Sequence, residues 1–167
     1  MNLGLSEKLP VAFPDLVTVE RPLVSNSTTL DPNWLAGFTS AEGCFYISIY
    51  KAKINMGEAV TLVFQVSQHI RDEQLMRSLI KYLNCGCITI NRTRVDFRVT
   101  KFNDIKNIII PCFKKYPIQG VKSEDFKDFC LVAEMMEKKE HLTSEGLEKI
   151  KQIKARMNRG RKLNTLC

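Results

Sequence analysis

Apolar positions along this chain change their spacing several times, and each change marks an element. Asp31 followed by Pro32 opens the first, because an Asp side chain satisfies orphan N–H groups and proline carries a helix-ready φ. A helix is expected from there to about Glu42, ended by Gly43. Cys44 to Lys51 and Ala59 to Gln68 are rich in Phe, Tyr, Val and Ile, and read as a long hairpin turning at Asn55-Met56-Gly57. Leu75, Met76, Leu79, Ile80 and Leu83 then repeat at helical spacing after Asp72, up to Asn84–Gly86. A second hairpin is expected from Cys87 to Asn91 and from Val95 to Lys101. Asn103 is placed to cap a short helix carrying Ile105, Ile108 and Ile109, interrupted at Pro111. Ser123 opens a helix with Phe126, Phe129, Cys130, Ala133 and Met136 on one face, and Thr143 opens the last. The order helix, hairpin, helix, hairpin, helices predicts an α+β domain with an antiparallel sheet and helices on one face of it.

Before that domain, residues 1–29 hold Pro10, Pro14 and Pro22 and end in a run of Ser, Asn and Thr, which reads as a linker-like arm. The domain is expected over 30–162, with 163–167 as a tail. A length of 167 residues with 44% hydrophobic content suits one packed core. No stretch approaches a membrane span, and no secretory or transit pattern opens the chain. The cysteines lack a zinc or thioredoxin spacing and are expected to be reduced, buried thiols. A formal net charge of +7 changes the picture more, because a basic surface attracts polyanions and favours nucleic acid as partner.

The first helix carries the candidate chemistry. Ala36, Gly37, Ser40 and Ala41 recur at spacings of three and four, which leaves one face nearly bare and suited to close approach of a second backbone. The plainer alternative is a helix packed on its own sheet. Glu42 lies in the last turn, against the negative end of the helix dipole, a mismatch of roughly 0.3–1 kcal/mol that a bound cation reverses. It is either an ordinary solvated acid or one of two carboxylates that paired helices bring together around divalent metal.

The segment WLAGFTSAEG (34–43) resembles the LAGLIDADG motif, with Leu35-Ala36-Gly37 kept and Glu42 standing for the second Asp. FQVSQH (64–69), the CGC step (85–87), VDFRVTKF (95–102), KYPIQGVKSEDF (115–126) and the stretch from KEHLTSEGLEKI through MNRGR (139–161) resemble the C-terminal half of single-chain fungal mitochondrial LAGLIDADG homing endonucleases. Residues 5–24 resemble the linker between the halves of such enzymes. Those enzymes carry two motifs, whereas this sequence has one.

The resemblance implies the αββαββα fold with a saddle-shaped sheet, and a homodimer joined through Trp34, Ala36, Gly37, Ser40 and Ala41. It implies that Glu42 and the Ala41 carbonyl bind divalent metal, Mg2+ with Ca2+ or Mn2+ as substitutes. Gln68 would organise the attacking water and Lys122 would stabilise charge on phosphate. Read without the resemblance, Gln68 is a strand-end polar residue and Lys122 a solvated lysine; His69 and His141 fit no metal spacing.

Strand alternation completes the expectation. With Phe45, Ile47 and Ile49 inward, Cys44, Tyr46, Ser48 and Tyr50 point out, together with Thr61, Val63, Gln65 and Ser67 on the next strand and Thr89, Asn91, Arg94, Asp96, Arg98 and Thr100 on the later hairpin. That set is a solvated face or, as the resemblance implies, a reader of base edges in the major groove of double-stranded DNA. From Lys149 to Lys162 the chain carries Lys and Arg, Lys154 and Arg159 among them, with no acid between, a solvated helix face or a row of phosphate contacts. The expected activity is metal-dependent, site-specific DNA cleavage at a palindromic or near-palindromic target, from an intron-encoded mitochondrial protein. The alternatives are a non-cleaving module, such as an intron maturase or DNA-binding regulator, and an isolated half of a two-motif enzyme.

Overall fold

The computed structural model describes residues 11–15, 30–53 and 57–161. The arm expected over 1–29 and the tail over 163–167 therefore fall almost wholly outside the described residues, as do Lys162 and most of the Asn55-Met56-Gly57 turn.

Helix α1, Pro32–Glu42, begins as expected: the Asp31 side chain accepts from the N–H groups of Asn33 and Trp34 at 2.8 and 3.0 Å. It runs directly into β1, Gly43–Lys51, which pairs antiparallel with β2, Glu58–His69. The N–H of Ala52 donates to the Gly57 carbonyl at 3.0 Å and closes the far end of that hairpin. A short 3-10 turn, Ile70–Asp72, leads to α2, Glu73–Leu83, with Met76, Leu79 and Leu83 buried. Asn84 and Gly86, both at positive φ, then reverse the chain into β3, Cys87–Asn91. Gly86 is required there, since a Cβ would lie 2.6 Å from the Phe97 ring. Strand β4, Arg94–Val99, starts one residue earlier and stops two earlier than its pattern suggests, and the sheet order is β1-β2-β4-β3.

The next helix corrects the sequence reading. Helical structure begins at Phe102 behind Lys101, so Asn103 lies inside it and caps nothing. Nor does Pro111 interrupt it. The run 102–115, α3, comprises α-helical Phe102–Asp104, a π turn Ile105–Ile109 and α-helical Ile110–Lys115. The wide turn shifts the hydrogen-bond register just before Pro111, placing the proline at the start of a fresh helical segment, where its missing N–H costs little. Helix α4, Lys122–Glu137, likewise starts one residue before Ser123, whose N–H donates to Gly120 in the preceding turn. Thr143 caps α5, Ser144–Ala155, by accepting from the Gly146 N–H. A final 3-10 turn spans Asn158–Gly160.

Packing explains why the helices take one side of the sheet. Phe45, Ile47, Leu62, Phe64, Val66, Val95, Phe97 and Val99 share one face and are buried. Phe45 meets Phe113 of α3 and Phe126 and Phe129 of α4 at ring separations of 5.7, 5.1 and 5.3 Å. Such aromatic pairs add about 0.5–1.5 kcal/mol each beyond area burial, and here they fix α3 and α4 over β1 and β2. The opposite face carries the alternate residues and is partly open. The antiparallel sheet with helices on one face is the architecture that the alternation predicts.

Candidate functional site

Two features meet at the C-terminal end of α1. A helix end leaves carbonyls without partners, and here the Lys122 ammonium donates to the Ala41 carbonyl at 2.8 Å. Glu42, next in the chain, is exposed at the same negative helix end. Burial pushes the Lys122 pKa down, and the charges of Cys44, Glu42 and Asp125 oppose it. The Cys44 thiol is pushed up by its own burial, with Lys122 opposing, and stays protonated at neutral pH. Gln68 sits two residues past Val66, which is paired with Gly43, so it extends beyond β1 on the same side as α1. Its parity puts it on the helix-covered face with Phe64 and Val66, apart from the outward set. Thus Lys122, distant in sequence from Ala41 and Glu42, shares one end of the sheet with them, with Gln68 at its rim.

The helix face is only partly as expected. Ala36 is 5% exposed and packs within its own chain, and Ser40 is half-buried, its hydroxyl donating to the Ala36 carbonyl and accepting from the Gln119 N–H. Small residues line both sides of the helix, so their spacing did not reveal which side the chain itself covers. The exposed positions on the other side are Trp34, Gly37 and Ala41, flanked by Phe38, which is half-buried against the core and stacked on Trp34 at 4.9 Å. At Gly37 no atom lies within 4 Å of where a Cβ would stand, so nothing in the described chain explains a glycine there.

On the open sheet face the register brings Cys44, Tyr46, Ser48 and Tyr50 opposite Gln65, Val63, Thr61 and Ala59, and Ser67, Asp96 and Thr89 into one row. A chain of hydrogen bonds crosses it. Arg98 donates to the Tyr46 hydroxyl at 3.0 Å, Tyr46 to Gln65 at 3.4 Å, Gln65 to Ser67 at 2.9 Å and Ser67 to Asp96 at 2.6 Å. Arg94 closes the chain with an Nε–H bond to Asp96 at 3.1 Å. Asp96, expected among the base contacts, is 4% exposed and instead orients Arg94 and Ser67. Val63 is also buried, a floor for the polar groups around it. Asn91 pairs with Arg94 at the hairpin end, and Thr100 lies exposed just beyond β4. Sequence reading missed two members of this face, His69 and Cys87. The expected strand stopped one residue short of His69, which also accepts from the Arg71 N–H, and Cys87 had been assigned to the interior although it is exposed.

The basic run is largely spoken for. Arg156 and Arg161 bind Asp128, Arg161 also binds Asp125, Lys151 binds Glu58 and Lys149 binds Glu145. Lys154 and Arg159 form no ion pair among the described residues and are both exposed. Those two are the cations of the run left without a carboxylate partner among the described residues. Helix position alone did not separate them, because Asp125 and Asp128 lie on a different helix.

Metal chemistry fits this end of α1 in a limited way. One carboxylate and one carbonyl are hard oxygen donors suited to Mg2+ or Ca2+, which need several more. No group of three His, Cys, Asp or Glu able to hold an ion occurs among the described residues. These two donors alone would fill only part of the coordination sphere such an ion takes.

Comparison with known proteins agrees with the fold. The family model described as LAGLIDADG endonuclease matches residues 35–133. Two proteins of Neurospora crassa named probable intron-encoded endonucleases are 38% and 40% identical over 90% and 92% of this chain, but over 29% and 35% of their own length. The crystal structure of the I-LtrWI LAGLIDADG homing endonuclease bound to target DNA superposes with a TM-score of 0.87 at 47% identity, covering 97% of this chain and 55% of that one. I-SmaMI bound to cleaved DNA gives a TM-score of 0.88 at 45% identity with the same coverage. The chain thus spans about a third of the length of those curated relatives and about half of the solved structures.

Proposed function

Since the chain belongs to the LAGLIDADG endonuclease family, we propose that it forms half of a site-specific double-stranded DNA endonuclease, and that a second copy packed against the stripe Trp34, Gly37, Phe38 and Ala41 supplies the other half. The observation that carries this reading is the exposed Glu42 at the end of a helix whose free face is bare at Gly37, beside a polar sheet face. Two such helices in contact bring two Glu42 carboxylates together, an arrangement that like-charge repulsion disfavours unless divalent metal or a proton lies between them.

In this reading Glu42 and the Ala41 carbonyl would hold Mg2+, or Ca2+ or Mn2+ in its place. Divalent metal there supplies Lewis-acid stabilisation of phosphate charge and lowers the pKa of bound water. Gln68 orients the attacking water, and Lys122, already at the Ala41 carbonyl, offsets charge on the phosphate. Arg98, Tyr46 and Gln65, held by their mutual hydrogen bonds, meet base edges in the major groove with little reorganisation, Arg suiting guanine and Gln adenine. Ser48, Tyr50, Thr61, Thr89, Asn91, Arg94 and Thr100 extend that reader, and Lys154 and Arg159 contact phosphates.

Two identical halves read the same bases inward from each end, so the preferred site is a palindrome or near-palindrome. A second reading is favoured by the coverage of 55% of the solved structures: a non-identical half supplies the second helix, and the site is asymmetric. In both readings the protein is the product of an intron in a mitochondrial genome, a proposal supported by relatives named intron-encoded endonucleases. No described helix is long and apolar enough to cross a membrane.

Selection of cleaved duplexes from a randomised library, with Mg2+ and with EDTA, tests the proposal. The expected result is a long preferred site, symmetric for the homodimer, cut only with metal. Binding without cutting under every metal would leave a nucleic-acid-binding module instead.

A further inference from the structure

The C-terminal turn makes contacts that neither DNA binding nor the core explains. Asn158 stands at a positive φ of 52°, which turns its side chain onto the edge strand β1. Its Nδ2 donates to the Phe45 carbonyl at 3.0 Å, and its Oδ1 accepts from the Cys44 thiol at 3.5 Å. An edge strand has carbonyls without a strand partner, and Asn158 takes one of them next to the Glu42 helix end. The backbone N–H of the same residue donates to Asp125 at 3.0 Å. Asp125 lies one turn after Lys122 on α4, and Lys122 in turn holds the Ala41 carbonyl. Contacts therefore close a ring: Ala41 to Lys122, along α4 to Asp125, across to Asn158, and back through Cys44 and Gly43 to Glu42.

Asp125 and Asp128, both buried, anchor this turn through Arg156 and Arg161. That anchoring makes the turn a fixed strut. We propose that Asn158 is a positioning residue for DNA cleavage: acting through Cys44 and Phe45, it sets the Glu42 carboxylate in register with Lys122. The inference rests on the nuclease reading above. Catalytic groups displaced by about 1 Å lose on the order of 100-fold in rate, so loss of the strut should act on the chemical step and leave DNA recognition alone.

The test compares the wild-type protein with Asn158→Gly on a duplex selected by the wild type. Glycine accepts the positive φ, so backbone and Asp125 contact survive while both side-chain bonds are lost. Thr143→Ala serves as a control that lowers the melting temperature by removing the α5 cap, a bond from the Gly146 N–H. The readouts are the single-turnover cleavage rate at saturating protein with Mg2+, the dissociation constant with Ca2+, and the melting temperature. The expected result for Asn158→Gly is a rate at least about 10-fold lower with affinity within about threefold of wild type. The control should cut at the wild-type rate. An Asn158→Gly rate within twofold of wild type, or a fall equal to that of Thr143→Ala, would overturn the positioning role and leave the nuclease reading standing. Failure of the wild-type protein itself to cut would overturn the homodimeric nuclease reading and this positioning role with it.

Discussion

Replacing Gly37 by leucine separates the stability of the chain from its association, because the two move in opposite directions. Glycine inside a helix is about 1 kcal/mol less favourable than alanine, and leucine is close to alanine, so the isolated chain should gain roughly 0.5–1 kcal/mol. Nothing within the described chain opposes this, since a Cβ at Gly37 has no neighbour within 4 Å. Across a two-fold axis each new side chain meets the facing helix, and overpacking costs about 1–3 kcal/mol per site. Two such sites give about 2–6 kcal/mol, a loss of association of roughly 30-fold or more. Urea unfolding of the dilute monomer gives the first quantity, and sedimentation with and without target DNA gives the second. A Gly37→Leu protein that is less stable as a monomer, or that pairs as tightly as wild type, would refute the assignment of this stripe to the helix contact.

Arg98→Ala should relax base preference at one position by about 1–3 kcal/mol, whereas Lys154→Ala should weaken all duplexes alike and reduce the salt slope by about one charge; binding to systematic target variants at several salt concentrations separates the two. Arg161→Met leaves the buried Asp125 and Asp128 short of a partner and should cost about 3–5 kcal/mol of unfolding free energy at neutral pH, with a loss below about 1 kcal/mol counting against the strut. Burial alone would raise the Asp128 carboxyl, but hydrogen bonds and charge from Arg156 and Arg161 outweigh it and hold it below its ordinary value of 3.8. A carboxyl depressed in the folded state stabilises at and above its ordinary value and loses that contribution as the pH falls through the folded one. Unfolding free energy should therefore begin to drop below about pH 4, and less so in Arg161→Met.

Much of this arrangement is legible in the residues, for physical reasons. The Asp31-Pro32 start, the Gly43 stop and the strand alternation act locally, and the alternation alone assigns Tyr46, Gln65 and Arg98 to one face. What was not legible depends on distant partners. Asp125 and Asp128 look like solvent-facing acids near a helix start until Arg156 and Arg161 reach them from the segment that follows α5. Ala36 and Ser40 look as free as Gly37 and Ala41 until the Gln119 N–H closes on Ser40. Pro111 looks like a break because a π turn has no pattern of its own in the sequence.

The proposal that Glu42 holds the metal for DNA cleavage stands or falls on Glu42→Gln. Amide replaces carboxylate with nearly the same shape, so packing and the sheet face are unchanged. Cleavage of a selected target with Mg2+ and binding of the same target with Ca2+ are measured side by side. Cleavage is expected to fall by about 100-fold or more with binding retained to within a few-fold; cleavage by Glu42→Gln at the wild-type rate would show that this carboxylate does not hold the metal.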